Sequence, residues 1–229
     1  MKKRELKAAF KVSIPVMMGY IVLGFAFGLL LVSFNYPWYI ALLMSIFIYA
    51  GALQFLAIGF FNAKVGLVDI AIASIFVNIR QSFYGLSVLK KFKKTKKLKP
   101  YLIFALTDET YGLLTTIKEN PQINHKYYYF YLSLLNQSYW VLGTILGAIF
   151  GSFVDFNTKG LDFSLTALFV VLAIEQYKTN KNYIPFLIAT ITSIIALIFI
   201  PPSNMLIFSM ICSLIALLIF KKNLESKNV

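Results

Sequence analysis

Eight apolar runs dominate the chain, at residues 12–32, 38–61, 65–89, 101–117, 129–151, 163–176, 183–200 and 204–220. An α-helix rises about 1.5 Å per residue, so about 20 residues match a hydrocarbon core roughly 30 Å thick. Most of the runs span by that measure and the shorter ones fall short. Composition removes the soluble alternative, because 59% of the residues are hydrophobic, 14% are charged and the mean hydropathy is +0.75. The expected fold class is all-α: a polytopic integral membrane helical bundle, one domain over residues 1–229, with six to eight membrane segments. The basic stretch KKRELKAAFK precedes the first run, which is too long for a signal-peptide core and lacks a small-residue cleavage site, so it is read as a retained helix.

A net charge of +13 invites a nucleic-acid reading, but the lysines cluster in short segments between apolar runs, the pattern that orients membrane proteins with positive loops in the cytoplasm. Five basic residues lie before the first run, seven in residues 90–99 and three after Phe220, whereas residues 152–162 hold Asp155, Asp162 and only Lys159. If every run crosses, the chain passes the membrane three times before residues 90–99 and puts its most basic loop outside. Placing that loop inside requires one fewer crossing before it and one fewer after it; the acidic link then falls outside, Lys178 and Lys181 inside, and both termini in the cytoplasm. The runs suited to entering without crossing are 65–89, or its neighbour 38–61 broken at YAGA, and 101–117 with TDET at its centre. Irregular backbone at membrane depth is tolerated only inside protein or beside a watery cavity, and such broken elements build transporter binding sites. Eight plain spans with an outer basic loop is the alternative.

Charged side chains at mid-membrane cost about 2.5–3.5 kcal/mol on insertion scales, so each needs a partner. In VNIRQSFYGLSV, Asn78, Gln81, Ser82 and Gly85 share one helical face while Arg80 and Tyr84 point nearly opposite, so the segment is either surrounded by protein or broken near Asn78. In TDET, Thr107, Asp108, Glu109 and Thr110 point all round the axis. Two elements thus offer a buried cation and buried anions that pair with each other or with the two ends of a zwitterion. The candidate substrate-binding residues are Arg80, Asn78, Gln54, Asp108 and Glu109. An ion pair from Arg80 to Asp108 or Glu109 that only locks the fold is the competing reading. NQSYW, residues 136–140, lines a cavity or joins helices by hydrogen bonds; KYYYFY and Trp38 read as interfacial aromatics. The single cysteine, Cys212, and the single histidine, His125, form no metal cluster, and no cofactor is expected.

Several stretches together resemble the AzlC family of branched-chain amino acid permeases: PVMMGYIVLGFAFG, YAGALQFLAIG, VNIRQSFYGLS, TDETYGLL, LNQSYWVLGTILGAIFG and GLDFSLTALFVVLA, in family order across most of the chain. Where family members carry histidine after the arginine, this chain departs from the pattern with Gln81. The resemblance implies an exporter of branched-chain amino acids in the bacterial cytoplasmic membrane, with a small hydrophobic AzlD-type subunit as partner. No phosphate-binding loop and no hydrolase or metalloprotease motif is present, which favours a secondary transporter over an enzyme. A membrane scaffold or channel-like subunit is the runner-up.

Overall fold

The computed structural model describes residues 2–63, 65–116, 123–153 and 183–225, together with Val170, Ile174 and Tyr177. Among the described residues all regular structure is helical: α1 (Lys2–Ser33), α2 (Trp38–Phe47), α3 (Gly51–Ala63), α4 (Leu67–Phe92), a 3-10 segment (Lys93–Leu98), α5 (Lys99–Phe104), α6 (Asp108–Thr116), α7 (His125–Phe153), α8 (Ile184–Phe199) and α9 (Pro202–Glu225). Two of these, over Lys3–Ser33 and His125–Phe153, are both long and apolar enough to cross a bilayer. The acidic residues Asp155 and Asp162, the lysines 118, 159, 178 and 181, and all of the run 163–176 but Val170 and Ile174 lie outside the described residues.

The chain divides into two compact units, Met1–Gly59 with Val77–Lys159 and Phe60–Phe76 with Gly160–Val229. The first is built on a seam between α1 and α7. Gly24 and Gly28 of α1 face a stripe of small residues on α7, Gly143, Thr144, Gly147 and Ala148, and the backbones come close enough that a Cβ on Gly147 would overlap the Phe25 carbonyl. Small residues at four-residue spacing are what permit such approach between apolar helices, where close packing rather than water exclusion drives association. The contacts advance together along both helices, from Asn124 N–H on Glu5 Oε1 at 3.2 Å, through Ser13 against Tyr139 at 3.1 Å, to Gly147 against Phe25 and Gly151 against Leu29. The helices α1 and α7 therefore run parallel.

Two broken hairpins pack on this seam. The first is α2 and α3: it begins a few residues beyond the C-terminal end of α1, descends until the Ile46 carbonyl accepts Gln137 Nε2–H at 3.2 Å, turns through Ile48–Ala50, and climbs again as Gly51 meets the Trp140 ring and Phe55 meets Phe27. Tyr49 in the turn has φ 43, left-handed backbone that a bulky residue adopts only under constraint. The second hairpin is α5 and α6. Along α4 and α6 the contacts again advance together, Arg80 with Asp108, Tyr84 stacked on Tyr111 and Lys91 Nζ–H on the Leu114 carbonyl, so α6 runs parallel to the end of α4 and α5 runs against both.

A single apolar cluster then joins Ala9 of α1, Val88 and Phe92 of α4, Leu102 of α5, Leu106, Leu114 of α6 and Tyr128, Tyr129 and Leu132 of α7. It places residues 90–99 at the same end of the unit as the start of α1. The second hairpin enters from that end and the first from the opposite one, and their turns meet where Tyr49 packs against Phe104, ring centroids 6.4 Å apart. Of the two runs expected as possible breaks before the basic loop, 38–61 is the broken one. The helix α4 passes through Asn78 without interruption.

In the second unit α8 and α9 form a hairpin around Pro201 and Pro202, with Thr192 and Ser213 hydroxyls bonded across it. The hydroxyls of Thr190 and Thr192 turn back onto the carbonyls of Phe186 and Ile188, which hides their polarity within the helix. Leu197, Ile198, Phe199, Leu218 and Ile219 are exposed, an apolar surface suited to lipid.

Candidate functional site

TDET is the start of a helix rather than the middle of one. After Phe104 the backbone leaves the helical path for Ala105–Thr107, and Thr107 caps α6 by accepting the Thr110 N–H on Oγ1 at 3.2 Å. Asp108 and Glu109 then occupy the first turn, where the positive end of the helix dipole favours carboxylates. The far end of α6 is capped by Lys91 from α4 on the Leu114 carbonyl. A short helix that cannot cross anything is thereby made self-sufficient, and its charged end sits beside the turn of the facing hairpin.

The two carboxylates take different partners. Arg80 Nη2 meets Asp108 Oδ2 at 2.9 Å, with side chains 42% and 36% exposed. Arg80 Nε and Asp108 Oδ1 are shielded from solvent and have no hydrogen-bond partner among the described residues, although Tyr84 lies beside the aspartate. Glu109 Oε2 accepts the Tyr20 hydroxyl at 2.6 Å, and the same hydroxyl lies 2.6 Å from Thr107 Oγ1. From Thr107 the network continues to Thr110 Oγ1 at 3.1 Å and on to Asn136 Nδ2 of α7 at 3.0 Å. Asn136 is completely buried and its Oδ1 has no partner among the described residues.

The remaining sequence candidates are placed less centrally. Gln54, completely buried, accepts the Trp140 indole N–H on Oε1 at 2.9 Å and donates to Ser45 Oγ at 3.4 Å. Trp140 in turn carries Tyr20 edge-on at 5.5 Å and Phe27 stacked at 6.4 Å. Asn78 is half-buried on α4, two residues before Arg80 and so about 200° round the helix from it. The structure therefore brings Arg80, Asp108 and Glu109 to one helix start and gives Gln54 to the floor of the other hairpin. Of NQSYW, Asn136, Gln137 and Trp140 all join helices by hydrogen bonds. Tyr20, Thr107 and Thr110 were not among the candidates. A tyrosine in the interior of an apolar run was the available signal for the first, and an N-cap threonine for the second.

The AzlC family, described as AzlC protein, matches residues 15–154. A Helicobacter pylori protein named as an uncharacterized membrane protein is 40% identical over 222 residues, 97% of each chain. The Bacillus subtilis branched-chain amino acid transport protein AzlC is 35% identical over 223 residues, covering 97% of this chain and 88% of the relative. The Escherichia coli inner membrane protein YgaZ is 28% identical over 180 residues, 75% of this chain and 73% of the relative. No solved structure matches the chain.

Proposed function

This chain belongs to the AzlC family, and on that premise we propose that it is a secondary transporter moving leucine-like branched-chain amino acids outward across a bacterial cytoplasmic membrane. It acts as one transport domain over residues 1–229, with both termini cytoplasmic and a small hydrophobic AzlD-type subunit as partner. The name of the Bacillus subtilis relative, a branched-chain amino acid transport protein, supports the substrate, and that of the Escherichia coli relative, an inner membrane protein, supports the membrane. The first and second hairpins are re-entrant from opposite sides, which removes one crossing on each side of the basic loop and keeps residues 90–99 inside.

The observation that carries the reading is the half-satisfied Arg80–Asp108 pair at the start of α6. A zwitterion needs a donor fork for its carboxylate and an acceptor for its ammonium. The pair provides both, and each side chain keeps more than a third of its surface exposed, 42% for Arg80 and 36% for Asp108. Gln54 enters as the brace of the facing turn and Asn78 as a polar group on the other face of α4. The planar guanidinium donates two parallel hydrogen bonds to a carboxylate, which the point charge of lysine does not reproduce.

The test is counterflow of labelled leucine in proteoliposomes, with and without the small subunit, for wild type and Arg80→Lys, using leucine carboxamide as competitor. Wild type is expected to exchange leucine and to reject the carboxamide at least about tenfold, which corresponds to roughly 1.4 kcal/mol. Arg80→Lys is expected to reach the membrane normally and lose most of its leucine affinity. Equal competition by the carboxamide, or unchanged affinity in Arg80→Lys, removes Arg80 from the substrate site. The ion pair itself favours a second reading, a scaffold or channel-like subunit in which Arg80 and Asp108 lock the fold. That reading predicts no counterflow at all.

A further inference from the structure

Each of the two broken hairpins is followed by a long helix, and the two assemblies share one plan. The first hairpin bends at residues 48–50 and restarts at Gly51; the second bends at residues 105–107 and restarts at Asp108. In that alignment Ile46 and Phe47 fall on Ile103 and Phe104, and Leu56 falls on Leu113. One further residue of shift brings Asn78, Gly85 and Phe92 of α4 onto Asn136, Gly143 and Phe150 of α7. The three lie seven apart in both helices, so they share one helical face in each.

The two assemblies run in opposite directions. Phe92 packs on Tyr129, whereas earlier in α4 Tyr84 stacks on Tyr111, whose neighbour Thr110 is bonded to Asn136, later in α7. The helices α4 and α7 are therefore antiparallel. Each long helix also braces the hairpin of the other assembly. From α7, Gln137 donates to the Ile46 carbonyl and Trp140 to Gln54; from α4, Arg80 holds Asp108 and Lys91 donates to the Leu114 carbonyl. A common order of elements laid out in opposite directions is the mark of an inverted internal repeat. The clearest difference between the copies lies in the turn, where Tyr49 and Leu106 hold the same position. Tyr49 has φ 43 and sends its N–H five residues back to the Met44 carbonyl at 3.2 Å. Leu106 has negative φ and sends its N–H three residues back to the Ile103 carbonyl at 3.3 Å. One turn thus exists in two backbone forms within one molecule.

We propose that residues 46–92 and 103–150 are two copies of one unit built in opposite directions, and that the protein has a second state in which the two turns exchange forms. In that state Leu106 takes the left-handed backbone and Tyr49 gives it up. A bulky residue at positive φ is a local cost held in place by its surroundings, and the exchange moves that cost from one copy to the other rather than adding a second. Packed elements of this kind have discrete alternatives rather than a continuum. Because the hairpins enter from opposite ends and their turns meet at Tyr49 and Phe104, the exchange would turn the polar groups between them from one end of the unit toward the other. That use rests on the transport reading; the repeat and the second state do not.

The experiment measures distances between paired spin labels in the full chain in bilayers, in a Cys212→Ser background. The pairs are ones the repeat makes equivalent, Phe47→Cys with Val141→Cys and Phe104→Cys with Phe83→Cys; Val141 is half-buried and the other three are exposed. With and without leucine, each pair should show two distances, and the share of the present state should change in step at both. A single distance at either pair in both conditions overturns the proposal. Tyr49→Gly relieves the left-handed cost in the present state and should shift the ratio about tenfold toward it, whereas Leu106→Gly relieves it in the exchanged state and should shift the ratio about tenfold away. Shifts in the same direction, or none, also overturn it. Tyr49 and Leu106 are both buried, so if either glycine variant fails to fold, the distances without it decide. Absent leucine counterflow alongside two distances at both pairs defeats the transport reading and leaves the exchange standing.

Discussion

The hairpin of α2 and α3 is closed by neutral groups, Gln54 held between Ser45 and Trp140 and the buried Tyr49 hydroxyl without a hydrogen-bond partner among the described residues, whereas the hairpin of α5 and α6 presents two carboxylates, one of them in an ion pair. Both are interrupted at mid-unit, both pack on the α1–α7 seam, and their turns touch through Tyr49 and Phe104. The contrast teaches that a broken helix in such a chain is not by itself a binding site. The break frees backbone groups, and the side chains supplied at the break decide whether those groups are sealed or offered. In the first hairpin the Gln137 amide seals the Ile46 carbonyl; in the second an N-cap threonine seals the Thr110 N–H, and Asp108 keeps one carboxylate oxygen without a hydrogen-bond partner among the described residues.

The comparison breaks most completely if the two hairpins open to the same side. In a Cys212→Ser background, Trp38→Cys is expected to react only with reagent added outside and Lys97→Cys only with reagent reaching the cytoplasm, an all-or-none difference. Labelling of Lys97→Cys from outside would restore eight plain spans. Next in size is Gly147→Leu, which forces α1 and α7 apart and removes the surface under both hairpins alike. Overpacking costs about 3 kcal/mol where the added atoms meet backbone, and about 2–4 °C accompanies each kcal/mol in a chain of this size, so the thermal midpoint in detergent should fall by roughly 6–12 °C. An unchanged midpoint would show that the seam does not carry the unit.

The smallest expected effect sharpens the comparison rather than breaking it. Gln54→Leu strands the Trp140 indole N–H and should destabilise by about 1–3 kcal/mol, with part recovered in the double variant Gln54→Leu, Trp140→Phe because both partners are then apolar. Leucine affinity should stay far closer to wild type than in Arg80→Lys. An affinity loss as large as that of Arg80→Lys would make the first hairpin a binding element too.

The existence of the breaks was legible because their causes are local. YAGA and TDET put small or capping residues inside otherwise apolar runs, and the lysine count at residues 90–99 favoured two runs that do not cross over eight plain spans. Which run before the loop is broken was not legible: Asn78, Arg80 and Gln81 put 65–89 ahead of 38–61, yet α4 is unbroken, with Arg80 met by Asp108 of α6. The close approach of the Gly143, Gly147, Gly151 stripe to α1 was not anticipated, since a spacing of small residues states at most that something approaches and not what. The Glu109 network was hidden for the same reason. Its bonds join residues 87 and 89 positions apart, and nothing local to Tyr20 announces an acid.

The parallel arrangement of α1 and α7 has a consequence for the life of the chain before it is finished. The two halves of the seam are separated by both hairpins and α4, about 90 residues of chain, which at about 5–20 residues per second means a wait on the order of ten seconds between the emergence of one half and the other. During that interval neither hairpin has its floor: Trp140, Gln137 and Asn136 have not yet been made, and Gln54, Thr110 and the Ile46 carbonyl lack the partners that satisfy them later. Polar elements too short to cross and too unsatisfied to rest in lipid must be sheltered in that time. The birth of this protein is therefore its most vulnerable stage, and substitutions in α7 should reveal themselves first as chains that never mature rather than as mature chains that work poorly.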